Sequence, residues 1–93
     1  SEIVKSYYNS GREPFLYYYR DKDAKEIDLI IEMNGQLHPI EIKRTATPDA
    51  RLTRAFGVLD RSPMQRGTGA VLCTTEKLSA FNSDNLIIPI SLI

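Results

Sequence analysis

The dipeptide Asn34-Gly35, set between two runs of alternating apolar residues, is the strongest constraint this chain carries. A two-residue loop of this composition joins antiparallel strands, because both positions accept positive φ and match the strand twist. It predicts a hairpin between Glu26–Glu32 and Leu37–Arg44. Met33 then faces Gln36, and every opposed pair shares one sum. Ile27 faces Ile42 and Leu29 faces Ile40, which assigns these four to a core side. On the other side Asp28 faces Glu41 and Glu26 faces Lys43. Counted from the turn, Asp28 and Glu41 form the closer, non-hydrogen-bonded kind of pair, with Cα atoms ~4.5 Å apart. Pro39 falls in the same class, where its missing N–H costs the ladder nothing.

The rest of the pattern extends this hairpin into an α/β, mixed-sheet domain. Ile3, Val4, Tyr7 and Tyr8 recur at helical spacing, and Asn9-Ser10-Gly11 supplies a stop, which predicts the end of a first helix. Phe15–Arg20 is aromatic and reads as a strand. Thr47 as N-cap, Pro48 as first helical residue and Asp49 near the positive end predict a helix to about Arg61. Leu52, Ala55, Phe56 and Leu59 form its buried stripe. Gly69–Thr74 reads as a strand covered on both faces. The segment from Leu37 to Thr74 is therefore expected to be a right-handed crossover between parallel strands. Thr75–Asp84 reads as a loop, with a turn around Leu78–Phe81. Asn85–Ile93 reads as a last strand, in which Pro89 marks an edge or a bulge. With 93 residues, the chain is long enough for one domain with one modest core, residues 1–93. The start at Ser1, inside a helical pattern, reads as a fragment of a longer protein.

Bulk chemistry narrows the function. No apolar run is long enough to cross a membrane and no signal peptide is visible, so a cytoplasmic, non-membrane domain is expected. The single cysteine, Cys73, reads as a buried small hydrophobe, and with His38 as the one histidine no structural zinc set can form. His38 itself reads as a partly buried strand residue opposite Ile31. The formal charge is zero, but residues 43–66 carry Lys43, Arg44, Arg51, Arg54, Arg61 and Arg66 against Asp49 and Asp60, a local +4. Such a segment can hold a nucleic-acid backbone locally, with Arg44, Arg51 and Arg54 as candidates, although the neutral total disfavours non-specific binding. No G-x-x-x-x-G-K-[ST] loop occurs, so no nucleotide site is expected in this segment.

The chemistry concentrates on the hairpin. Two carboxylates opposed across strands repel. A divalent cation removes that repulsion, and Mg²⁺ or Mn²⁺ takes one or two carboxylates together with waters and a phosphate oxygen. Lys43, two residues beyond Glu41, shares its strand face and can stabilise charge on a phosphate or orient a water. Such residues on one strand face more often form a solvated surface with weak salt bridges.

The segments Glu26-Ile27-Asp28-Leu29-Ile30-Ile31-Glu32 and Pro39-Ile40-Glu41-Ile42-Lys43 resemble the D…E-x-K core of the PD-(D/E)XK phosphodiesterase superfamily, whose restriction-endonuclease-like core runs αβββαβ; here a final strand follows. Members often add a Glu from the first core helix, and Glu2 stands at the matching place. The resemblance implies catalytic Asp28, Glu41 and Lys43, and a metal held by Glu2, Asp28 and Glu41. Tyr17-Tyr18-Tyr19-Arg20-Asp21-Lys22-Asp23, Lys25-Glu26-Ile27-Asp28 and Ile88-Pro89-Ile90 look similar to the C-terminal domain of unknown function of prokaryotic predicted AAA+-type ATPases. That resemblance implies an N-terminal ATPase domain in the same parent chain. The expected function is Mg²⁺-dependent hydrolysis of DNA phosphodiesters. The alternatives are an inactive module that docks nucleic acid or protein, and a structural cap for oligomer assembly. The helix after E-x-K departs from the nuclease pattern, offering arginines where many members carry other polar residues.

Overall fold

A computed structural model describes residues 3–8 and 15–93. Among the described residues, eight strands form one mixed sheet: β1 Ile3–Tyr8, β2 Phe15–Arg20, β3 Glu26–Met33, β4 Gln36–Ile42, β5 Gln65–Arg66, β6 Gly69–Cys73, β7 Ser79–Asn82 and β8 Asn85–Pro89. Their order is β1-β2-β3-β4-β6-β8-β7, with β5 lying beside β4. The first four strands form an antiparallel meander. The pairs β4–β6 and β6–β8 are parallel, as the crossover through the helix requires, and β7 returns antiparallel to β8. The domain is thus a mixed α+β fold with one long helix, Ala50–Arg61, and a final short 3-10 turn at Ile90–Leu92.

The hairpin forms as Asn34-Gly35 dictates. Both residues have positive φ, 55° and 76°, as a type I′ turn demands. The ladder runs from Met33↔Gln36 to Leu29↔Ile40, the expected register, and Ile31 faces His38.

Ile27 is buried as expected, but the facing of Leu29, Ile40 and Ile42 is the reverse of the expectation. Between Tyr17↔Ile30 and Tyr19↔Ile27 the β2–β3 register slips by one, so Asp28 and Leu29 together oppose Tyr18. This bulge turns Ile27 onto the same side as Ile30. Tyr19, Ile27 and Ile30 then pack with Phe56, Val58 and Leu59 of the helix, joined by Tyr17, Leu37 and Ala55. The core side is therefore the one that carries Leu37, Pro39 and Glu41. Ile42, assigned to the core from alternation alone, is half exposed. Glu26 does not pair with Lys43. It lies across from Arg20 and forms a 3.0 Å salt bridge with it, exposed and energetically small.

The same side continues across β6 and β8, where Val71, Cys73 and Ile87 pack with Leu52 and Phe81. Cys73 is a buried free thiol, as expected. Ile27 and Val71 are almost wholly removed from water, each contributing about 1.5–3 kcal/mol of apolar transfer.

Several expectations are corrected. Ile3–Tyr8 is a strand, not the end of a helix. Its β-branched and aromatic residues suit a pleated strand as well as a helical stripe, and the free edge of β2 decides between them. The order therefore departs from αβββαβ at its first element. The long helix is a 3-10 helix, starting two residues later than expected: Asp49, not Thr47, is its N-cap, accepting from the Arg51 N–H at 2.9 Å. Its period of three explains the buried set, since Leu52, Ala55 and Val58 fall in one row and Phe56 and Leu59 in the next. Arg51, Arg54, Gly57 and Asp60 form the exposed row. Ser79–Asn82, read as loop, is the edge strand β7. The last strand ends at Pro89, which sits at its terminus beside Cys73 and not on an edge strand. Gln65–Arg66 is a short strand not foreseen.

Candidate active site on the hairpin

Asp28 and Glu41 meet where the β3–β4 ladder stops. Beyond Leu29↔Ile40 the side chains take over the backbone's partners. The Ile42 N–H donates to Asp28 Oδ2 at 2.9 Å, and the Asp28 N–H donates to the Glu41 carboxyl. The two carboxyl groups are close enough for the Asp28 side chain to act on Glu41 through both its charge and its hydrogen-bonding capacity. The bulge at Asp28-Leu29 produces this break, because it removes Asp28 from regular pairing on the β2 side.

Glu41 is half-buried against the helix. Desolvation foremost, then the charge of Asp28 and the hydrogen bond to it, push its pKa up to about 7, while Lys43 and the Asp28 N–H pull the other way. A carboxyl group that holds a proton near neutral pH is a recurring property of functional sites. Lys43 lies just past β4, exposed, with its N–H bonded to the Leu72 carbonyl at 2.9 Å.

The structure thus brings together Asp28, Glu41 and the charge of Lys43. Glu2 lies outside the described residues. Among the described residues no three carboxylate, imidazole or thiolate groups converge on one point. Two carboxylates are nevertheless hard oxygen donors of the number that Mg²⁺ takes when waters and phosphate oxygens complete its octahedron. The donor set fits that ion and would suit a thiophilic metal poorly.

A groove of about 360 Å³ runs between the β2–β3 turn and the start of the helix. It is lined by Ala24, Lys25, Glu26, Glu41, Arg51, Leu52, Arg54 and Ala55. Of the three arginines proposed for nucleic acid, Arg51 and Arg54 reach it and Arg44 does not. Arg51 is closed onto Asp49, with Nη2 at 2.9 Å and Nε at 3.1 Å from its carboxylate oxygens, and this side-chain pairing holds Asp49 below the ordinary carboxylate range.

Lys25 is the groove residue that sequence reading missed. It sits in the turn Asp21–Lys25, whose Asp21 carboxylate accepts from the N–H groups of Asp23 and Lys25 at 2.9 and 3.1 Å and from the Tyr19 hydroxyl at 3.0 Å. Desolvation works upward on Asp21, but these hydrogen bonds outweigh it and hold its pKa low. Ala24 follows with φ 63°, a left-handed conformation unusual for alanine. An Asp followed two residues on by a second Asp was the available turn signal. A separate apolar cleft of about 410 Å³, between β2–β4 and the far end of the helix, is lined by Glu32 but by neither Asp28 nor Glu41.

No helix among the described residues is long and apolar enough to cross a membrane. The chain is similar to uncharacterized protein Mb2031c of Mycobacterium bovis and to uncharacterized protein Rv2008c of Mycobacterium tuberculosis. Each is 38% identical over 45 residues, which is 48% of this chain and 10% of the relative. The matched segment therefore covers about a tenth of the length of these relatives. No solved structure matches. A family model matches residues 1–93, the whole of the sequence. On that match the chain belongs to the family described as Domain of unknown function (DUF4143).

Proposed function

We propose that this domain is a PD-(D/E)XK-like phosphodiesterase module, cytoplasmic and C-terminal to an AAA+-type ATPase domain, acting on DNA with Mg²⁺ or Mn²⁺. The observation that carries this reading is the carboxyl pair Asp28–Glu41 at the open end of the hairpin, with the Lys43 charge acting on it. Asp28 and Glu41 would hold the cation, and Glu2 is a further ligand in this reading. Bound there, the cation supplies charge neutralisation at a phosphoryl oxygen and a more acidic water. Asp28 is held in place by the Ile42 N–H, so its carboxylate is aimed before any ligand arrives. A cation held there would favour the ionised form of Glu41, opposing the desolvation that chiefly retains its proton and the charge of Asp28 that adds to it. Lys43, exposed and two residues on, is positioned for the scissile phosphate or the attacking water.

The test is a metal titration followed by a cleavage assay on the full-length chain. Wild type is expected to gain thermal stability with millimolar Mn²⁺ and to cut DNA. Asp28→Asn is expected to lose both responses, and Lys43→Ala only the cutting. Identical Mn²⁺ responses of wild type and Asp28→Asn would sink the metal site.

A second reading, a non-catalytic module docked on its own ATPase domain, is favoured by a different observation. The sheet face opposite the helix carries Leu29, Ile31, Ile40, Ile42, Leu72 and Ile88, none of them fully buried. Cleavage-dead, metal-indifferent protein whose ATPase activity falls on Ile42→Lys would support it.

A further inference from the structure

The groove beside Glu41 has a charge arrangement that the hairpin site does not use. Glu26 is paired with Arg20 and Arg51 with Asp49. Lys25 and Arg54 also line the groove, and both are exposed. Neither forms an ion pair within 4 Å among the described residues. They come from opposite walls, Lys25 from the β2–β3 turn and Arg54 from the helix. Lys25 stands on a braced turn: Asp21 takes two of its N–H groups, Tyr19 anchors Asp21 from the core, and Ala24 holds a costly backbone conformation. Strained, over-determined turns of this kind cluster at ligand clamps. Arg54 stands in the exposed row of the helix, one 3-10 turn beyond the Arg51–Asp49 cap.

We propose that Lys25 and Arg54 form a two-sided clamp for the phosphodiester backbone of a nucleic-acid strand, leading it along this groove to the Asp28–Glu41 pair. The proposal rests on the phosphodiesterase reading for its choice of ligand, and it assigns positioning roles to two residues outside the D…E-x-K set. It also withdraws Arg51 from direct contact, since its guanidinium is already committed to Asp49. A phosphate between the walls receives an ammonium from one side and a planar guanidinium from the other, a combination suited to tetrahedral oxyanions.

The experiment is fluorescence anisotropy of a labelled single-stranded DNA oligonucleotide with the full-length chain in EDTA, where cleavage is blocked. Lys25→Ala/Arg54→Ala is expected to weaken binding at least about tenfold. Each neutralised phosphate contributes about 0.7 to the slope of log affinity against log salt, so the double variant is expected to lower that slope by about 1.4. Lys77→Ala, an exposed lysine on the loop before β7, serves as the control and leaves both quantities unchanged. Lys25→Arg and Arg54→Lys are expected to keep most of the affinity. Unchanged affinity and slope in the double variant would overturn the clamp, as would displacement of the oligonucleotide by a poly-glutamate peptide as readily as by unlabelled DNA. The Mn²⁺ melting response of the same double variant separates the two ideas. A clamp failure leaves that response intact, whereas a wild type with no Mn²⁺ response and intact oligonucleotide binding removes the metal site and keeps the clamp.

Discussion

Replacing Glu41 by Gln probes the carboxyl pair through stability alone. In the folded domain Glu41 keeps its proton up to about pH 7, against 4.5 when unperturbed. Between those values the native state binds more protons than the unfolded chain, so stability falls as pH rises. Below 4.5 both states are protonated and the penalty is absent; above 7 it is complete. At 1.36 kcal/mol per pH unit the full interval corresponds to about 3 kcal/mol. Glu41 is only half-buried, and water screens part of the repulsion, so about 1 kcal/mol is the expected size. Gln cannot titrate and still donates a hydrogen bond toward Asp28. Urea unfolding of wild type and Glu41→Gln, followed by circular dichroism in EDTA from pH 4 to 8.5, measures the difference. The variant is expected to gain about 1 kcal/mol on wild type between pH 4 and pH 8, most of it between 4.5 and 7. A difference that stays constant across this range would show that Glu41 does not titrate as the geometry requires.

A saturating divalent cation is expected to add about 2.7 kcal/mol at a hundredfold excess over its Kd, seen as a rise of 10 °C or more in Tm for a domain of roughly this size; calorimetry with and without Mn²⁺ checks it. Ala24→Gly relieves the left-handed φ of 63° and is expected to stabilise by about 1 kcal/mol, read by the urea midpoint. Asp49→Ala removes the helix cap and is expected to cost about 1 kcal/mol, in the same assay. Gly69→Ala places a Cβ 2.7 Å from Arg66 Nη2, 2.9 Å from Asn85 Oδ1 and 3.0 Å from the Pro39 carbonyl. Overpacking there is expected to cost about 1–3 kcal/mol, visible as a lower Tm.

What could be read from the residues alone follows how local the determining interaction is. Asn34-Gly35 sets the hairpin register by its own backbone preferences, so Leu29↔Ile40 and the approach of Asp28 to Glu41 were both legible. Parallel pairing of β4 with β6 follows from the intervening helix and was legible too. Which side of the hairpin the helix covers was not, because the slip opposite Tyr18 arises between strands and leaves no mark in the alternation of Ile27, Leu29 and Ile31. Ile3–Tyr8 misled for a related reason: its apolar spacing satisfies two periods, and only the edge of β2 chooses. Lys25 was invisible as a site residue because its place in the groove depends on a turn folded back toward a helix some 25 residues later in the chain.

The extra residue at Asp28-Leu29 also governs how this domain tolerates changes of length. Positions on either side of it obey opposite parity, so removing one residue here would do more than shorten a strand. It would rotate Glu26 and Ile27 by half a turn relative to Ile30, expelling Ile27 from beneath Phe56 and Leu59, and would draw Asp28 away from the Ile42 N–H in the same step. An added residue at the exposed Ser83-Asp84 tip between β7 and β8 would carry no core side chain to the other face of the sheet. Among homologous chains, a length change within β3 should therefore arrive together with a rebuilt core and a lost carboxyl pair, whereas length changes in the β7–β8 turn should vary independently of both.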